Sequence, residues 1–200
     1  KKFIENVEEK LEEDYLSPKE LSTKIDQMES LMLTHANKLE FEEAASIRDK
    51  ISKLNLTIKV ILLTHAHGDH IADLKRLKKE TENPPTYINR LEPTSGADSI
   101  DEGWETTVGS LNISTFLTNG HSPGGTTYLI TGLDSPVAIT GDSLFAGSIG
   151  GAASHYNEAM ENNRKKILTL PDNTVICPGH GPLSTVREEK AHNPFFPEFK

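Results

Sequence analysis

Apolar positions in residues 18–54 recur at helical spacing. Leu21, Ile25, Met28, Met32 and Leu39, with His35 between the last two, alternate steps of four and three and form one continuous seam. Ser17-Pro18-Lys19-Glu20 reads as a helix start. Ser17 can cap, Pro18 suits the first helical position, and Glu20 completes a capping box. After a break near Asn37, the positions Phe41, Ala44, Ala45, Ile47, Ile51 and Leu54 predict a second amphipathic helix. Together the two make a helical hairpin, which buries little surface alone. It is expected to pack on a neighbouring domain or on a copy of itself. Residues 1–16 read as an acidic helix or arm with no identifiable chemistry.

The periodicity changes near residue 55. Residues 1–55 contain no glycine and one proline, whereas the remainder holds all 14 glycines and 10 of the 11 prolines. That punctuation belongs to a strand-rich fold, and it divides the chain into residues 1–55 and 56–200. The β-branched run at residues 58–63 predicts a buried strand. Ile71, Leu74 and Leu77 predict a helix over residues 71–80, stopped by Asn83-Pro84-Pro85. A short strand follows at residues 86–88. Residues 89–110 are poorly patterned and predict loops, with a strand around residues 104–108. Alternating Leu111, Ile113, Thr115 and Leu117 predict a strand, as do residues 126–130, 137–140 and 174–177. Residues 157–170 predict a helix.

Composition narrows the options. The net charge of −9 argues against a general nucleic-acid surface. The one basic cluster, Lys75-Arg76-Leu77-Lys78-Lys79, reads as a solvated helix face. No apolar run reaches the length of a membrane span. A single cysteine, Cys177, excludes an internal disulfide and fits a reducing compartment, which points to the cytoplasm. The chain opens Lys-Lys-Phe with no initiator Met and no secretory pattern, as a processed chain or a fragment would.

The chemistry is concentrated at strand ends. Directly after the first apolar run stands His65-Ala66-His67-Gly68-Asp69-His70, four metal-capable side chains within six residues. In an extended segment His65, His67 and Asp69 share one face, and a turn at Gly68 can bring His70 round. Imidazole and carboxylate suit zinc and other borderline divalent ions. The pattern recurs: His121 follows a strand and precedes Ser122-Pro123-Gly124-Gly125, Asp142 follows Gly141, and His180 sits in Pro178-Gly179-His180-Gly181. Four strand ends thus offer seven ligands, which suits two metals on one rim. Cys177 reads as a core strand residue, His35 and His192 as structural or exposed, and Trp104 as core or edge. His155, in the loop after Gly150-Gly151, is open to a role facing substrate.

The ordered set H-x-H-x-D-H, His121, Asp142, His180 over residues 56–197 resembles the metallo-β-lactamase superfamily of zinc hydrolases. Gly120-His121-Ser122-Pro123-Gly124, Gly141-Asp142-Ser143 and Pro178-Gly179-His180-Gly181-Pro182 resemble its glyoxalase II-like branch. The resemblance implies an α+β fold, an αββα sandwich. Members carry further β-strands ahead of the metal loop, so here the sandwich is expected to be truncated at its N-terminus. It also implies that His65, His67 and His121 hold one metal, that Asp69, His70 and His180 hold the other, and that Asp142 bridges them. Two zinc ions are expected, with iron possible. The implied reaction is hydrolysis of a thioester or small activated ester by a metal-activated hydroxide, with Asp69 orienting it. Gly151 stands where relatives often carry a basic residue.

Residues 18–54, through Leu39-Glu40-Phe41-Glu42-Glu43-Ala44-Ala45 and Ile47-Arg48-Asp49, resemble the UVR helical hairpin of the excision-repair proteins UvrB and UvrC. That implies self-association or contact with a protein partner. Two alternatives remain open at this level. One is a non-catalytic interaction module fused to an incomplete hydrolase domain; the other is an iron-dependent persulfide dioxygenase.

Overall fold

The computed structural model describes residues 18–53, 58–81 and 83–199. The chain divides into two compact units, residues 1–57 and 58–200. No helix among the described residues is long and apolar enough to cross a membrane.

In the first unit, α1 (Pro18–Asn37) and α2 (Phe41–Lys53) form an antiparallel hairpin. Among the described residues, Met28 of α1 and Ala44 and Ile47 of α2 are buried, as the seam predicts. The seam fails at the turn. Leu39 takes a positive φ of 62° and is exposed, and Phe41 is exposed too. α1 ends at Asn37, before Leu39 can turn inward, and Phe41 stands at the exposed first position of α2. The backbone N–H groups of Lys38, Leu39 and Glu40 close the turn instead. The expectations for residues 1–16, Ser17 and Leu54 fall outside the described residues.

The second unit is an αββα sandwich. The smaller sheet has order β1-β2-β3 and is parallel, from β1 (Ile61–Leu62), β2 (Thr86–Asn89) and β3 (Asp98–Ile100). The larger has order β11-β10-β7-β6-β5-β4. Its strands are β4 (Glu105–Val108), β5 (Leu111–Leu117), β6 (Thr126–Thr131), β7 (Val137–Gly141), β10 (Val175–Pro178) and β11 (Ser184–Thr185). Between β7 and β10 come a small hairpin, β8 (Leu144–Phe145) with β9 (Ser148–Ile149), and helix α5 (Tyr156–Asn162). Helix α5 runs on into a π turn, Asn163–Ile167. Helix α6 (Val186–His192) follows β11.

Three apolar clusters hold the layers. Ile61, Leu63 and Ile88 of the small sheet pack with Leu74 of α4 (Leu74–Glu80). Ile100, Ile113 and Tyr128 fill the space between the sheets, with Leu62, Tyr87 and Trp104 packed against them. Met160, Ile167, Leu168 and Val186 cover the outer face of the large sheet against Ala138 and Ile176. Trp104 is therefore a core residue, its ring 4.8 Å from that of Tyr87.

Several local expectations are corrected. The strand expected over residues 58–63 is confined to Ile61 and Leu62, with a last bond from Leu63 N–H to Tyr87 O. Ile61 N–H donates to Pro85 O, and Pro84 and Pro85 have no N–H to extend the ladder backwards. The helix expected over residues 71–80 comes in two pieces, α3 (Gly68–Ile71) and α4. β3 lies in a stretch expected to be loop. Its polar Asp98 and Ser99 are exposed at a sheet edge and only Ile100 is buried, so it carries no apolar alternation.

Candidate metal centre

The topology accounts for the recurrence of ligands at strand ends. β7 and β10 are parallel, while β5 is antiparallel to β6 and β6 to β7. β5, β7 and β10 therefore run the same way, and the loops after them emerge on one rim. β1 of the other sheet is drawn to that rim by two bonds. Thr126 N–H donates to Thr64 O at 2.9 Å, and the buried Tyr128 hydroxyl donates to Leu63 O at 2.9 Å.

The first loop departs from a simple extended reading. His67 is extended (ψ 149°) and serves as the N-cap of α3, so Asp69 and His70 lie on a helical turn. His70 N–H donates to His67 O. Asp69 and His70 thus reach the rim by helical geometry, while His65 and His67 reach it from the strand end. His65 is 1% exposed, with its Nδ1 3.1 Å from Thr64 Oγ1, which leaves Nε2 facing the rim.

All seven expected residues converge. His67 Nδ1 lies 3.0 Å from His121 Nε2. Asp142 Oδ2 lies 3.4 Å from His121 Nε2 and 3.6 Å from His180 Nε2, and its Oδ1 lies 3.3 Å from His70 Nε2. His180 Nε2 lies 3.2 Å from Asp69 Oδ2. The donor atoms form three overlapping groups: His65, His67 and His121; His65, His70 and Asp142; Asp69, His70 and His180. Asp142 is 8% exposed and central, whereas Asp69 and His180 are open to solvent.

The site's electrostatics favour lone pairs over protons. Burial, then the neighbouring His70, His67 and His121, push the His65 pKa down to about 3. His65 is therefore neutral near pH 7. His121 Nδ1 lies 2.8 Å from Gly151 O. A carbonyl only accepts, so Nδ1 carries the proton and Nε2 presents its lone pair. The Asp69 carboxyl is held below its usual range by its own backbone N–H first, and then by His70 and His180.

Three buried atoms here lack a hydrogen-bond partner: His65 Nε2, His70 Nε2 and Asp142 Oδ1. His70 Nε2 and Asp142 Oδ1 are close, but not in hydrogen-bond geometry. Native interiors rarely leave such atoms unsatisfied. Imidazoles and carboxylates in groups of three whose donor atoms lie within 4.8 Å of one another are the donor set of a borderline divalent ion. The residues fit a metal.

Two glycines let the loops close this far. A Cβ at Gly150 would overlap the Asp142 carbonyl oxygen, and a Cβ at Gly179 would overlap Asp142 Oδ1 and stand 2.7 Å from His70 Cε1. Between Cys177 and Pro178 the β10–β7 register slips by one residue, and Gly179 N–H then donates to Gly141 O. That slip carries Gly179 under Asp142.

Some supporting residues were not singled out from sequence. Glu92 Oε2 accepts from Ser122 Oγ at 3.0 Å and Gly124 N–H at 3.1 Å, gripping the His121 loop from the small sheet. Glu189, buried in α6, accepts from Gly147 N–H and Asn193 Nδ2 and is also bonded by Ser184 Oγ. Nothing local distinguishes either carboxylate from the many surface acids of this chain. Of the other histidines, His35 pairs with Glu40 at the hairpin turn, and His192 faces Glu188 on α6. His155 is exposed and bonds Ser154 Oγ. Cys177 lies in β10, and burial raises its pKa.

Known proteins resemble this chain in sequence and fold. The family model described as Metallo-beta-lactamase superfamily matches residues 33–180. A probable metallo-hydrolase of Bacillus subtilis, YqgX, is 33% identical over 181 residues, covering 78% of this chain and 84% of that protein. The hydroxyacylglutathione hydrolase GloC of Haemophilus influenzae is 30% identical over 181 residues, covering 76% and 82%. The crystal structure of the BLEG-1 B3 metallo-beta-lactamase superposes with a TM-score of 0.65 at 31% identity, covering 76% of this chain and 83% of that one.

Proposed function

The chain belongs to the metallo-beta-lactamase superfamily, and from that membership we propose that it is a metal-dependent hydrolase of a thioester or small activated ester. The observation that carries the reading is the convergence of five imidazoles and two carboxylates on one rim, with Asp142 touching members of both outer groups. In this reading His65, His67 and His121 hold one ion, Asp69, His70 and His180 hold a second, and Asp142 serves both. Zinc suits this nitrogen-rich set, and iron suits it as well.

A divalent metal bound here supplies Lewis acidity toward a carbonyl oxygen and makes water nucleophilic near neutral pH. The chain's own residues do the rest. Gly151 O fixes the His121 tautomer, so its Nε2 is a ligand and not a proton donor. The ionised and exposed Asp69 carboxylate stands at the mouth, where it can orient an attacking water. His180, equally exposed and 6.1 Å from the Phe145 ring, borders the approach. No Ser or Cys nucleophile is needed.

GloC is by name a hydroxyacylglutathione hydrolase, and its 30% identity supports a thioester as the substrate class. The likeness of residues 18–54 to UVR hairpins supports a protein-contact role for that unit. Turnover of a panel of hydroxyacyl- and acyl-thioesters, followed by thiol release, tests the reading. Zinc-dependent hydrolysis that falls at least a hundredfold in His121→Ala is expected. A zinc-loaded chain that releases no thiol above buffer would overturn it.

A further inference from the structure

We propose that Asn162 and Asn163, where α5 passes into its π turn, are positioning residues that set the spacing between His121 and Asp142. The inference rests on the reading of this rim as a metal site. A π turn is rare and is commonly kept where it serves a site. Here Leu168 N–H closes it by donating to Asn163 O at 2.8 Å, and Asn163 N–H lies against the Ala159 and Met160 carbonyls.

Asn163 is 1% exposed and sits beside the apolar Met160 and Ile167. A buried amide among such neighbours costs stability unless it is bonded. Its Nδ2 donates to Ser143 O at 3.0 Å and to Ala159 O at 3.1 Å, while its Oδ1 has no partner. Both neighbours are carbonyls, which only accept, so the nitrogen must face them. The side chain is held for its donors alone. Ser143 is the residue after Asp142, and its Oγ donates to Thr118 O at 2.9 Å, at the root of the His121 loop.

Asn162 grips that loop directly. Its Nδ2 donates to both the carbonyl and the Oδ1 of Asn119 at 2.8 Å. Asn119 in turn donates from Nδ2 to Glu158 Oε1 at 2.7 Å. One helix segment therefore bonds the chain two residues before His121 and one residue after Asp142. Consecutive residues of an α-helix diverge by about 100°, so neighbours seldom serve two adjacent loops. Asn162 (φ −60°, ψ −45°) and Asn163 (φ −59°, ψ −47°) keep that helical divergence at the entry to the π turn, and the two loops lie so that each residue addresses one of them.

Cobalt binding by the metal-free full chain tests this, read by visible d–d absorption and by equivalents taken up. Asn163→Asp keeps the shape and removes the donors. Asn162→Ala removes the grip on Asn119 at a half-buried position, where folding is least at risk. Both variants are expected to bind at least one cobalt equivalent about tenfold or more weakly, with a shifted visible band. A merely structural role would lower the melting temperature and leave the cobalt spectrum and affinity unchanged. Should Asn163→Asp fail to fold, Asn162→Ala decides alone. Wild-type uptake with unaltered variants overturns this inference only. No uptake by the wild type overturns the metal reading and this inference with it.

Discussion

His67 Nδ1 and His121 Nε2 stand 3.0 Å apart, although 54 residues separate them in the chain. With the His121 proton committed to Gly151 O, two imidazole nitrogens point at a common position. Both nitrogens could hold one cation, and His67 and His121 would then be tied across the two sheets. Metal removal is therefore expected to destabilise the fold. Chelation should lower the melting temperature by roughly 5–10 °C, from about 2.7 kcal/mol for a site at a hundredfold excess over Kd. Added zinc should restore it, as thermal denaturation can show. A melting temperature indifferent to both would count against a metal on this rim.

Gly150 and Gly151 are neighbours with opposite surroundings. A Cβ at Gly150 would overlap the Asp142 carbonyl and come within 3.1 Å of His121 Nδ1, while one at Gly151 meets nothing within 4 Å. Gly150→Ala should weaken zinc binding at least tenfold by displacing Asp142 or His121. Gly151→Ala should bind as the wild type does. Isothermal titration with zinc on both variants checks the contrast.

Tyr128 lies fully buried between the sheets, and its hydroxyl donates to Leu63 O, two residues before His65. Tyr128→Phe leaves the packing and strands a buried carbonyl. The expected cost is about 1–2 kcal/mol in a urea melt, with metal stoichiometry unchanged. A loss of bound metal would instead mean that this bond positions His65.

Much of the site is legible in the sequence because strand ends mark it. His65, His67, His121, Asp142 and His180 each follow an apolar or alternating run, and the strand directions bring those ends to one rim. His70 is legible as a residue brought round by a turn at Gly68, whereas Asp69 is legible as a candidate but not in its geometry. Alternation places Asp69 on an extended chain, and the helical turn from Gly68 replaces that chain because His67 caps a helix there. β3 is hidden for a different reason: an edge strand with two exposed polar residues has no pattern to read. Asn163 and Glu92 act through partners 20 and 30 or more residues away. Nothing local announces such bonds.

Glu92 illustrates the point. Its carboxylate holds Ser122 Oγ and Gly124 N–H, one and three residues after His121. Glu92→Ala should leave both donors unmatched, cost about 1–3 kcal/mol, and reduce thioester turnover more than Glu92→Gln, which keeps an acceptor. Steady-state rates with matched melting curves distinguish the two variants.

Whether the seven residues hold metal is read from elemental analysis of the purified chain beside His67→Ala. About two zinc or iron ions per wild-type chain, with fewer in the variant, is the predicted result. No stoichiometric metal in either protein after growth and purification with zinc and iron supplied would contradict it.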